Sequence, residues 1–85
     1  MVNSDAVEWY NKGVHYSRKG DHNLAIWCYD RATSIDPEYA KAWYNKGIAY
    51  KKKRMYDKAK DCFKKALDAD PNYEKAEKIL SNFEI

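Results

Sequence analysis

A chain of 85 residues and 10.0 kDa makes one domain that buries only about two-thirds of its unfolded surface, which argues against a large enclosed active site. Charged side chains make up 34% of the residues and no apolar run approaches the roughly 20 residues of a membrane span, so a soluble protein with no membrane partner is expected. The net charge of +3 divides unevenly: residues 1–39 carry six acids and four Lys or Arg, residues 40–85 seven acids and twelve Lys or Arg, so a preference for acidic partners belongs to the second half.

The opening Met1-Val2-Asn3-Ser4-Asp5 has neither the basic nor the apolar region of a secretory signal, and a cytoplasmic protein is expected. Cys28 and Cys62 are too few and too far apart for a disulfide framework, which fits a reducing compartment. Spacing and breakers predict five helices, over 5–18, 22–35, 39–52, 56–69 and 73–83. Ser4 or Asp5 is the expected cap of the first, and Gly20-Asp21 makes the turn that follows it. Pro37 and Pro71, each preceded by Asp, end the second and fourth helices, because proline disfavours the α conformation in the residue before it. The turn after the third helix reads Arg54-Met55, with Asp57 as a candidate cap. A residue other than glycine at positive φ costs about 1 kcal/mol, so this second turn is expected to be the weaker one.

Sliding the sequence against itself reveals a period of 34: residues 6–39 laid on 40–73 agree at 14 positions. The pairs include Trp9/Trp43, Tyr10/Tyr44, Asn11/Asn45, Lys12/Lys46, Gly13/Gly47, Tyr16/Tyr50, Ala25/Ala59, Cys28/Cys62, Ala32/Ala66, Asp36/Asp70 and Pro37/Pro71. Trp, Gly and Tyr recur at spacings of four and three, on one helical face, and the glycine leaves room for a close neighbour. Ala25, Tyr29 and Ala32, like Ala59, Phe63 and Ala66, set one large ring between two small residues, the pattern that tightly crossed helices need. A third copy starts at Glu74 and is degenerate: Glu77, Ser81 and Glu84 stand where Trp, Gly and Tyr would fall. Its apolar Tyr73, Ala76, Ile79, Leu80 and Phe83 and charged Glu74, Lys75, Glu77 and Lys78 describe an amphipathic lid over the last repeat.

These residues resemble the tetratricopeptide repeat family, with its W-x2-L-G-x2-Y, A-x3-F, A and P pattern, twice in register over residues 6–73. One departure is Lys12 and Lys46 where the family has Leu; the aliphatic stem of lysine covers part of the gap. The resemblance implies an all-α, right-handed superhelical stack of antiparallel helix pairs, with repeat 1 at 6–39, repeat 2 at 40–73 and a capping helix at 73–85. It also implies that the first helices of the units line a concave face that receives a peptide or helix of another protein. The residues expected there are Tyr10, Asn11, Val14, Lys41, Tyr44, Asn45, Ile48, Lys52 and Lys75, with Val7, Ser17, Arg18, Lys51, Lys78, Ile79 and Asn82 beside them. Tyrosines offer contact area at low entropic cost, and asparagines can hold backbone amides. Of the five ligands with which some family members clamp C-terminal carboxylates, Asn45 and Lys75 match, whereas Tyr10, Val14 and Ile79 do not, so that clamp is not expected.

The run Lys51-Lys52-Lys53-Arg54 complements the negative end of a helix dipole, and alternatively attracts an acidic peptide. No phosphate-binding glycine loop, nucleophile with supporting base, or metal-ligand spacing among His15, His22, Cys28 and Cys62 is present, so neither an enzyme nor a cofactor nor a metal is expected. Cys28 and Cys62 read as semi-buried small residues too far apart to pair, and Trp27 with Ile26 as an exposed apolar patch. The favoured function is a protein–protein interaction module. The alternatives are a self-associating structural repeat protein, or an excised or designed repeat fragment without a specific ligand, and after them nucleic-acid binding through the basic second repeat.

Overall fold

The computed structural model describes residues 3–83, and the expectation at Glu84 lies outside that range. Five helices follow one another: α1 (Ser4–Arg18), α2 (His22–Ile35), α3 (Ala40–Lys52), α4 (Tyr56–Ala69) and α5 (Glu74–Phe83). α1 packs on α2 and α3 on α4 as antiparallel pairs, α2 bridges to α3, and α5 closes against α4. This is an all-α helical-repeat stack, built as the period of 34 requires.

The turns repeat as faithfully as the helices. After α1, the amide of Asp21 donates to Tyr16 O at 2.9 Å and that of Gly20 to Ser17 O at 3.0 Å; after α3, Met55 donates to Tyr50 O at 2.9 Å and Arg54 to Lys51 O at 2.9 Å. Both are helix ends closed through a left-handed residue, Gly20 at φ 84° in the first and Arg54 at φ 64° in the second. The second turn thus carries the backbone strain that its lack of glycine predicts. At the other edge, Asp36 accepts from the Glu38 amide at 3.1 Å and Asp70 from the Asn72 amide at 3.1 Å, so each Asp-Pro turn is pinned by its own carboxylate.

Two expected caps are corrected. Asn3 caps α1, accepting from the amides of Asp5 at 2.8 Å and Ala6 at 3.3 Å, because α1 begins one residue earlier than expected and Ser4 and Asp5 are already helical. Asp57 does not cap α4: it lies inside the first turn, the cap position is Met55, and no side chain there accepts an amide. α3 and α5 start at Ala40 and Glu74, one residue after their expected starts, since Tyr39 and Tyr73 belong to the Asp-Pro turns.

The core consists of small residues around two rings. Tyr29 and Phe63 are 1% and 0% exposed, and the alanines flanking them, Ala25, Ala32, Ala59 and Ala66, are fully buried. Each ring lies against the glycine of its own repeat. A β-carbon on Gly13 would stand 2.4 Å from Tyr29 Cε1, and one on Gly47 2.5 Å from Phe63 Cε1. Cys28 and Cys62 are buried free thiols, a deeper placement than the semi-buried one expected, since each neighbours the ring residue of its repeat. The closing helix buries Ala76 and lays Ile79, Leu80 and Phe83 on the cluster around Phe63, while Glu74, Lys75, Glu77 and Lys78 stay exposed.

Candidate peptide-binding face

Three first-position helices, α1, α3 and α5, contribute the residues expected to bind a ligand. The structure joins several of them directly. The side-chain amide of Asn45 on α3 donates to the hydroxyl of Tyr10 on α1 at 2.9 Å, and the Lys41 ammonium lies 5.7 Å from the centre of the Tyr10 ring. Ile48 and Ile79 pack on the cluster around Phe63, and Lys51, Ile79, Asn82 and Phe83 line a shallow notch between α3 and α5. Asn11, Lys52 and Lys75 are exposed, and Val14 is partly covered; no described contact ties these four to the others.

Tyr10 and Tyr44, expected on the concave face, do not stand clear of the core. Both are partly buried in stacks of rings. Tyr10 lies 5.9 Å from Tyr29 and 5.2 Å from Tyr39; Tyr44 lies 5.5 Å from Phe63 and 5.5 Å from Tyr73. Each tyrosine is thus clasped between the core ring of its own repeat and the tyrosine that follows the next Asp-Pro turn. Tyr39 and Tyr73, absent from the expected set, were detectable as one more identity at the 34-residue period.

The two halves of the face differ chemically. Beneath α1 the core ring is a phenol. Burial pushes Tyr29 up to about 12, with Tyr10 adding to the rise and hydrogen-bonding groups on Ser17 and Asn45 holding it back. Burial raises Tyr10 as well, partly offset by the Asn45 hydrogen bond and by Arg18. Beneath α3 the corresponding ring is Phe63, and the residues corresponding to Ser17 and Asn45 are Lys51 and Ile79. One end of the face is therefore a neutral hydrogen-bonding cluster, the other an apolar strip edged by lysine. α3 between them carries Lys41, Lys46, Lys51 and Lys52 and no acid.

On the outer side, Lys46 turns away from this face to pair with Asp30 of α2, its side chain only 14% exposed, and lies 5.0 Å from the Trp43 ring. That placement explains a lysine where leucine is the rule: stem and ammonium both find partners. Lys12 lies 4.6 Å above Trp9. Trp27 is 52% exposed and meets Trp9 edge-on at 5.2 Å, with Arg31 over both rings. The expected patch of Trp27 with Ile26 is corrected, because Ile26 faces inward and is 8% exposed. Burial lifts the Cys62 thiol to about 11, which leaves it a poor nucleophile, and no group of three or more metal-ligating side chains occurs among the described residues.

Two family models match the chain: one described as tetratricopeptide repeat over residues 40–73 and one described as TPR repeat over residues 13–53. With the fold above, they show that the chain belongs to the tetratricopeptide repeat family, a protein-interaction fold. No curated protein matches it. Among solved structures it is similar to the second TPR of Spaghetti (RPAP3) bound to the HSP90 peptide SRMEEVD, at 29% identity and TM-score 0.83 over 85% of this chain and 67% of that one. It is also similar to the Sgt2 TPR domain from Aspergillus fumigatus, at 29% identity and TM-score 0.84 over 91% of this chain and 52% of that one. MamA matches at 25% identity and TM-score 0.87, over 89% of this chain and 44% of that one. The chain thus spans about half the length of Sgt2 and MamA in those structures.

Proposed function

We propose that the face formed by α1, α3 and α5 is a groove for an acidic peptide or helix of a partner protein, and that the chain acts by binding and not by catalysis, in the cytoplasm. The observation that carries the reading is the composition of α3, the middle wall: three of its lysines, Lys41, Lys51 and Lys52, are exposed, and no carboxylate on the helix offsets them. The Tyr10–Asn45 cluster supplies a neutral hydrogen-bonding end and the Ile48–Ile79 strip an apolar end, the mixture that orients an extended chain. The peptide held by the RPAP3 domain supports a polypeptide ligand by likeness. Only Asn45 and Lys75 match the carboxylate clamp, so the ligand is read here as an internal segment and not a chain terminus.

Lys41→Glu with Lys75→Glu tests this, since both positions are exposed and folding should be unchanged. On an array of acidic peptides the double variant should weaken the spots that also carry apolar or aromatic residues, which the Ile48–Ile79 strip would hold, and leave purely acidic runs captured; identical patterns would remove the groove from consideration. A second reading, self-association, rests on Trp27. Sedimentation showing a monomer at every concentration excludes it.

A further inference from the structure

The two turns that join the helices of each repeat lie side by side along one edge of the molecule. Lys53 of the second turn hydrogen-bonds through its ammonium to the Asn23 side chain beside the first, and the cleft between them is lined by Lys19, Gly20, Asp21, His22, Asn23 and Lys53. Six cations stand on this edge, Arg18, Lys19, Lys51, Lys52, Lys53 and Arg54, and all are exposed. Of the two carboxylates near them, Asp21 is occupied in capping the Leu24 amide at 3.2 Å, and Asp57 lies in the first turn of α4.

Helix stabilisation accounts for part of the cluster. Lys51 and Lys52 sit in the last turn of α3, where positive charge meets the negative end of the dipole. It does not account for Arg54, which lies beyond the helix at φ 64°, where the equivalent residue of the first turn is Gly20 at φ 84° with an open surround. Glycine would fit the second turn without strain. Among the described residues Arg54 has no ion-pair partner and no side-chain hydrogen bond, so the fold receives nothing in return for the strain. Strain kept without structural return is the observation from which a role for Arg54 outside folding is inferred.

We propose that this edge is a docking surface for an acidic segment of a partner protein; it shares Lys51 and Lys52 with the end of the groove and is centred on Lys19, Lys53 and Arg54, which the groove does not use. Charge complementarity carries the choice of partner. A nucleic-acid backbone is the poorer fit, because the cations gather at two neighbouring turns and form no extended stripe.

Fluorescence anisotropy with labelled octaglutamate tests the edge, comparing about 20 mM with about 300 mM salt to expose screening. Lys53→Ser with Arg54→Gly should weaken binding about fivefold at low salt, the loss expected for two exposed ion pairs. The same variant should melt at an equal or higher temperature, since glycine relieves the turn. Lys41→Ser with Lys75→Ser, in the groove, should change octaglutamate binding less than about twofold. Unchanged binding in the edge variant, or a loss confined to the groove variant, overturns the proposal; the second result leaves the groove reading standing. Failure of the peptide array with octaglutamate behaving as expected removes the groove and keeps the edge. Tighter binding of dodecathymidylate than of octaglutamate through the same residues overturns the choice of a polypeptide.

Discussion

The ring of Phe63 fills the place where Gly47 lacks a side chain: a β-carbon at residue 47 would stand 2.5 Å from Phe63 Cε1, well inside van der Waals contact. Gly13 and Tyr29 repeat the arrangement at 2.4 Å. The glycine therefore sets how closely the two helices of a repeat approach. Gly47→Ala should destabilise the protein by about 2 kcal/mol in urea titrations, although alanine is the better helix former. Adding Phe63→Leu to Gly47→Ala should recover part of that loss. A Gly47→Ala protein as stable as the wild type would sink this account of the close approach.

Gly20 presents a different case, since nothing stands within 4 Å of its missing β-carbon and only its backbone, at φ 84°, is demanding. Gly20→Ala should cost about 1 kcal/mol through the left-handed conformation alone. No compensating change elsewhere should restore it. A neutral effect in thermal melts would mean that the turn relaxes to another conformation.

Tyr10→Phe keeps the ring stack on Tyr29 and Tyr39 and removes the hydroxyl that accepts from Asn45 at 2.9 Å. The expected loss is about 1 kcal/mol, as for a partly buried neutral hydrogen bond. Asn45→Leu should cost a similar amount, and the double variant less than the sum of the two. Strict additivity would show that the two groups do not interact.

Stability should fall in alkali. The folded state holds Tyr29 protonated up to about 12, against an ordinary value of 10.0, so the folded chain binds more protons than the unfolded one in that window. The stabilisation is complete below pH 10 and is lost as pH rises through 12. Cys62, raised from 9.0 to about 11 by burial, adds to the slope from pH 9 upward. Tyr29→Phe, which gives repeat 1 the ring that repeat 2 already has, should flatten the decline in melting temperature above pH 10. An unaltered slope would assign it to the other raised tyrosines, Tyr10, Tyr39, Tyr50 and Tyr73.

Lys46, with its side chain 14% exposed, depends on Asp30, which is 46% exposed and well solvated without it. Asp30→Ala should therefore cost about 1 kcal/mol by stranding a partly buried charge, whereas Lys46→Leu should be neutral or stabilising. Equal losses from both changes would argue against this asymmetry.

The helices were legible because two independent signals coincide in them. Glycine follows α1, proline follows α2 and α4, and the 34-residue period carries each boundary into the next unit, which is why α2 and α4 fall where expected. What one repeat cannot show is a contact that exists only between repeats. Tyr10 reads as free on its own helix because its hydrogen-bond donor, Asn45, lies 35 positions later and reaches it only when the next unit docks. Ile26 reads as exposed beside Trp27 for a different reason: adjacent residues on a helix point about 100° apart, and one of the pair faces inward. The α1 cap was ambiguous because Asn3, Ser4 and Asp5 are all competent, and the choice among them depends on where the first buried residue, Ala6, must sit.

The Lys46–Asp30 contact also governs how such an array could be lengthened. The position on α4 that corresponds to Asp30 is Lys64, so appending a second copy of residues 40–73 after the first would bring Lys64 against the incoming lysine of the new unit. Like charges at that seam would discourage growth by simple duplication, and a single Lys64→Asp exchange would remove the objection. The charge at residue 64 thus selects which kind of neighbouring unit this seam accepts.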